Sequence, residues 1–111
     1  MQSKDRMVLL KILDKIEVLE KIAKGKTKEK FLDDNILQHA AAMAFLSMGE
    51  LTKHFTKDFI ETEKRLPVNK MRGMRNMAAH EYDAIRFERV WETIIVDIPE
   101  LKSIIEELLQ S

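Results

Sequence analysis

The chain has 111 residues, 45% of them apolar and 34% charged, with 3 glycines, 2 prolines and no cysteine. That length holds one domain around one core; the missing thiols exclude disulfides and thiolate metal sites and permit a reducing compartment. Nineteen basic and nineteen acidic residues leave a net charge of zero, so whole-chain charge does not draw a polyanion.

The N-terminal MQSKDRMVLL lacks the apolar run of a signal peptide. No segment approaches the ~20 apolar residues of a membrane span, so a cytoplasmic protein without membrane contact is expected. Leu9, Ile12, Ile16, Leu19 and Ala23 then recur at 3-4-3-4 spacing and predict a first helix with one apolar stripe. Ser3 or Asp5 is the expected cap at its start, and Gly25 the left-handed residue at its end. Leu37, Ala41, Ala44, Met48, Leu51 and Phe55 predict a second helix beginning near Asp33 and Asp34. Its small residues (Ala40, Ala41, Ala42, Ala44, Ser47 and Gly49) allow another helix to approach closely. Residues 56–67 are polar and end in Leu66-Pro67, a connection with room for one loose helical turn.

Val68 to about His80 reads as a short third helix, opened by Pro67. Phe87, Val90, Trp91, Ile94 and Ile95 mark a fourth. Pro99 suits the first turn of a fifth, with Leu101, Ile104, Ile105, Leu108 and Leu109 on its buried face. IIVDI is strand-like over five residues, yet helical spacing continues on both sides of it, and no hairpin signal occurs. The expected fold is all-α, one up-and-down bundle of four to five helices spanning 1–111.

Charge is local where it is not global. From Lys64 to Arg75 the chain carries Lys64, Arg65, Lys70, Arg72 and Arg75 and no acid. Such a stretch can solvate a helix face or attract a polyanion; Lys70 and Arg72 are its candidate contacts to RNA. It runs directly into RNMAAHEY, residues 75–82. On a helix advancing about 100° per residue, Met74 and Ala78 fall within about 60° of Met71, while Asn76, His80 and Gly73 lie on the opposite side. Arg75 lies about 140° round from His80, so the two diverge on an ideal helix. For both to act on one group, the helix must end near His80 or a second copy must contribute, which would make a homodimer. An ordinary exposed Arg and His is the plain alternative. As a pair, however, they suit phosphate chemistry. Arginine offers a planar, permanently charged fork, and histidine takes and gives a proton near neutrality. These are the two functions that metal-free RNA cleavage needs, with Asn76 placed to hold the imidazole or a phosphate oxygen.

Other features carry less. His39 and His54 show no metal-ligand spacing, Trp91 sits at core spacing, and Met71, Met74 and Met77 read as core filler. Glu50, beside Gly49 on a packed helix, is placed to pair with Arg75, in a site or as a structural salt bridge.

The segment RNMAAHEY resembles the R-x4-H-x-Y motif of the HepT-like branch of the HEPN superfamily. The resemblance extends to the helical start SKDRMVLLKILDKIEVLE, to Met48-Gly49-Glu50, to Leu66-Pro67 and to VWETIIVDIPELKSIIEEL. It implies an all-α bundle that dimerises with motif helices facing across a cleft. It implies a metal-independent ribonuclease toxin, without a cofactor, encoded beside a minimal nucleotidyltransferase antitoxin. By the same resemblance Arg75 and His80 carry cleavage, Asn76 supports them, and Tyr82 is the residue that the partner adenylylates, which requires the helix to stop and the phenol to be exposed. A tyrosine packed on the Met71 stripe is the alternative. One departure is Glu81, a negative charge in the variable position beside His80. The rival function is a partner or substrate-binding subunit of the nucleotidyltransferase that cuts little RNA itself.

Overall fold

Leu9, Ile12, Ile16 and Leu19 form the predicted stripe on α1 (Ser3–Ala23), each at most 1% exposed. The computed structural model describes all residues from Met1 to Ser111. After α1 come α2 (Lys28–Leu32), α3 (Asn35–Leu51), α4 (Lys57–Thr62), α5 (Val68–His80), α6 (Phe87–Glu92) and α7 (Ile98–Gln110), with no strand. No helix is long and apolar enough to cross a membrane.

Contacts within three helix pairs set the directions. Asp5 near the start of α1 meets Thr56 beyond the end of α3, so α1 and α3 run antiparallel. Arg72 meets Thr52 while Tyr82 lies against His39, so α5 runs antiparallel to α3. Arg6 donates to the Leu109 carbonyl and Lys102 pairs with Glu20, so α7 descends along α1. The expected all-α bundle is what forms, with four long rods around one apolar core.

The ends of these rods follow local chemistry, with one reassignment. Gly25 takes φ +70° just past α1, a left-handed conformation suited to glycine. Asp34 caps α3, its carboxylate accepting from Ile36 and Leu37 N–H at 3.0 and 3.1 Å. Neither Ser3 nor Asp5 caps α1, whose N-cap is Gln2 without a side-chain bond. Asp5 lies inside the first turn and is 1% exposed; its two oxygens accept the Thr56 N–H at 2.7 Å and the Thr56 hydroxyl at 2.8 Å. A buried carboxylate is stable only when so satisfied, and the partner here comes from 51 residues away.

The connections hold more order than their polarity suggests. Between α1 and α3, α2 buries Phe31, whose carbonyl, with that of Leu32, accepts the Gln38 amide at 3.1 and 2.9 Å. Residues 57–62 are a full short helix because Phe59 is buried against Phe55. The expected fourth and fifth helices follow one another without a loop, joined by a π turn at Thr93–Asp97. Pro99 has no N–H for the Ile95 carbonyl and its ring crowds that group; the wider turn just before it relieves the conflict. Ile95 is consequently 47% exposed instead of buried, and Met77, expected as core filler, is 39% exposed.

Gly49 is the tightest point of the bundle. A Cβ built there would fall onto the Arg75 side chain and lie 2.7 Å from the Met71 carbonyl oxygen, whereas a Cβ on Gly73 would meet nothing within 4 Å. Gly49→Ala is therefore expected to destabilise by about 1–3 kcal/mol. Gly73→Ala should gain up to about 1 kcal/mol from helix propensity. Urea unfolding of the two variants measures the contrast, and equal effects would refute the close approach.

Candidate active site around Arg75, Asn76 and His80

Arg75 leaves α5 on the side of α3, where Gly49 provides no side chain to block it. Its Nε donates to Oε1 of Glu50. From there the guanidinium turns along α5: Nη1 lies 3.1 Å from Asn76 Oδ1 and 3.4 Å from His80 Nε2. Arginine can only donate, so the histidine contact requires an unprotonated Nε2. Nη2 makes no hydrogen bond within the chain, and its two N–H groups face no internal acceptor. Glu50 also receives Lys53 at 3.3 Å. The hydrogen bond from Arg75 holds the Glu50 carboxyl below the ordinary carboxylate range, against the opposing effect of its partial burial.

The 140° divergence expected between Arg75 and His80 (about 100° per residue on an ideal helix) is thus overcome within one chain. The helix ends at His80, and the long arginine side chain reaches round to it. The geometric reason for recruiting a second copy to complete the pair falls away. Asn76 and His80 are both exposed, and Glu81, also exposed, forms the C-cap of α5.

Tyr82 begins a 3-10 turn, Tyr82–Ala84, after the helix has stopped. Its ring is half-buried between His39, 4.9 Å away, and Phe87, 5.9 Å away. No buried side-chain oxygen or nitrogen lacks a partner, and the Tyr82 hydroxyl bonds to nothing in the chain, so it reaches solvent. Desolvation of the phenol, helped by the Asp83 charge, raises its pKa above the usual value. His39, unremarked by any motif, is held by its Nδ1 to the Asn35 carbonyl at 2.7 Å. Nothing in linear spacing could have paired it with the distant Tyr82.

The basic run from 64 to 75 does not form one free patch. Arg65 pairs with Glu63 and Glu107, Arg75 with Glu50, and Arg72 donates to the Thr52 hydroxyl at 3.0 Å and its carbonyl at 3.3 Å. Arg72 therefore ties α5 to the turn that ends α3. Lys64 and Lys70 have no such partner, and Lys70 is exposed. Three or more His, Cys, Asp or Glu side chains nowhere gather as a metal site would require.

Comparison with known proteins places these residues in context. The family model described as "Ribonuclease HepT-like" matches residues 12–108. A protein named "Putative RNase TTE0752" from Caldanaerobacter subterraneus subsp. tengcongensis is 35% identical over 105 residues, covering 95% of this chain and 94% of its own. A "Probable ribonuclease HepT" from Thermococcus cleftensis is 32% identical over 97 residues, covering 87% and 88%. A Methanocaldococcus jannaschii protein named "Gamma-glutamylcyclotransferase and putative RNase MJ0434" is 30% identical over 105 residues, which are 95% of this chain and 46% of that longer one. No solved structure matches. With its helical bundle and a family match across 12–108, the chain belongs to the ribonuclease HepT-like family of the HEPN superfamily.

Proposed function

We propose that this protein is a metal-independent endoribonuclease toxin whose reacting groups are Arg75, Asn76 and His80. The observation that carries the reading is the contact of Arg75 Nη1 with both Asn76 and His80 while Nη2 stays free. In the proposed reaction the incoming RNA displaces Arg75 Nη1 from His80 Nε2, and the freed lone pair takes the proton of a ribose 2′-hydroxyl. The 2′-oxygen attacks the adjacent phosphorus, and the bond to the 5′-oxygen breaks. The imidazolium returns the proton to that leaving oxygen, giving a 2′,3′-cyclic phosphate and a 5′-hydroxyl. Arg75 Nη2 bonds the phosphate oxygens as charge builds on them, with its other side held by Glu50 so that the fork does not have to be ordered during reaction. Asn76 keeps the guanidinium turned toward the histidine. Lys70, exposed and unpaired, and Arg72 serve as outlying contacts to the RNA backbone.

A homodimer is part of the proposal, now supported by surface chemistry rather than by the Arg75–His80 angle. Ile36 and Met43 on α3 and Met77 on α5 are exposed apolar side chains on the two helices that hold the site. A cognate minimal nucleotidyltransferase acts as antitoxin by transferring AMP to Tyr82. The phenol oxygen attacks the α-phosphorus of ATP, the bond to pyrophosphate breaks, and the phenolic proton passes to a base. The added phosphate places negative charge beside the site, which repels RNA.

Purified protein is expected to cut RNA in EDTA and to leave 2′,3′-cyclic phosphate ends. Arg75→Ala and His80→Ala should each lower the rate by at least about 100-fold, the usual scale for losing an acid–base group or a charge-stabilising donor. Full activity in His80→Ala, or products with 5′-phosphates, would refute the mechanism, and a wild type that cuts no RNA would favour a binding subunit. Light scattering at micromolar concentration should show twice the chain mass, and a monomer removes the dimer. Incubation with the nucleotidyltransferase, ATP and Mg²⁺ should add one or more AMP masses to the wild type and none to Tyr82→Phe. Equal labelling of the two would move the modification elsewhere.

A further inference from the structure

A groove of about 360 Å³ lies between α1 and the C-terminal half of α3. One wall carries Lys11 and Lys15, one helical turn apart, with Asp14 beside them; the other carries Leu46 and Leu51 together with Ser47, Glu50 and His54. Glu50 is also the carboxylate that holds Arg75 Nε, so the groove and the candidate active site share this one residue. Unlike Lys21, Lys53, Lys57 and Lys102, which pair with glutamates, Lys11 and Lys15 form no ion pair and keep their full charge for a ligand. Glu50, by contrast, is already neutralised by Arg75 and Lys53.

Two lysines facing a wall in which two leucines are set among Ser47, Glu50 and His54 match what a single nucleotide presents: an anionic phosphate, and a base with a flat face and polar edges. We propose that this groove binds the nucleotide flanking the scissile phosphate of an RNA strand. Its phosphate lies on Lys11 and Lys15, and its base lies against Leu46 and Leu51. Asp14 accepts a hydrogen bond from an exocyclic amino group of that base, as carboxylates do from cytosine. The groove therefore extends the RNA path past the motif and selects an amino-bearing base over uracil at one flanking position. This rests on the ribonuclease reading above.

The test compares a dinucleoside monophosphate, which has no flanking phosphate, with a longer oligoribonucleotide. For Lys11→Ala/Lys15→Ala, kcat/KM on the oligonucleotide should fall about tenfold or more. Its slope against log salt concentration should flatten by about 0.7 for each phosphate that the variant no longer neutralises. The dinucleotide rate should stay at the wild-type value, which also reports that the variant is folded. Asp14→Ala should equalise the rates on substrates carrying cytosine or uracil at the flanking position. A double variant that cuts the oligonucleotide like the wild type overturns the groove as a subsite while leaving the ribonuclease reading intact. A wild type that cuts neither substrate overturns both. No cytosine preference in the wild type overturns the role of Asp14.

Discussion

The contact between α3 and α5 at Gly49 governs both the packing and the site. Because residue 49 has no side chain, the Arg75 β-carbon and the Met71 carbonyl can lie directly over the α3 backbone. The next residue, Glu50, then meets the guanidinium from the side, and two positions further on Thr52 receives Arg72. Two arginines of one helix are thus pinned by neighbouring residues of the other. A larger residue at position 49 would push α5 outward, and Arg75 would lose its anchor together with its reach to His80.

Glu50 converts that packing into a fixed orientation of Arg75. A free arginine at a surface samples many rotamers, and holding it for reaction costs side-chain entropy. Fixing Nε on a carboxylate leaves the far edge of the fork directed at Asn76, His80 and any incoming anion. Glu50 draws down the net positive charge of the site while sharpening its direction, the arrangement expected where orientation matters more than raw attraction. The same carboxylate borders the α1–α3 groove, so one residue joins two surfaces that sequence order keeps far apart.

Stability is supplied largely elsewhere. The stripe of α1 packs against α3 and α7, and buried polar groups at the two ends of α3 are satisfied in pairs: Asp5 with Thr56, Gln38 with the last carbonyls of α2. Such locks fix where short helices begin and end. They also leave α5, with only Met71 fully buried, as the long helix least committed to the core. A helix of this kind can devote its outer face to polar groups, because Val68, Met71 and Met74 pack its inner face on the core while the close approach at Gly49 and the two arginine ties fix it along α3.

Apolar spacing and capping chemistry determined the all-α bundle, a helix from Val68 to about His80, the turn at Gly25 and a start of α3 near Asp33 and Asp34, since each depends on residues within a few positions of one another. The family, too, was legible, because its motif and flanks lie in linear order. Small residues around Gly49 signalled a close helix approach, and the Glu50–Arg75 pair followed from it. Tertiary structure alone decided what depends on distant partners. It drew Asp5 away from capping toward Thr56, engaged three of the five basic residues in the 64–75 run, set His39 against Tyr82 and exposed Met77 and Ile95. It also brought Arg75 round to His80, because helical angles locate the root of a side chain but not the end of a long, flexible one. Lys11 and Lys15 carried no signal at all in linear order, since their meaning comes from facing Leu46, Leu51 and Glu50 across a groove that only folding creates.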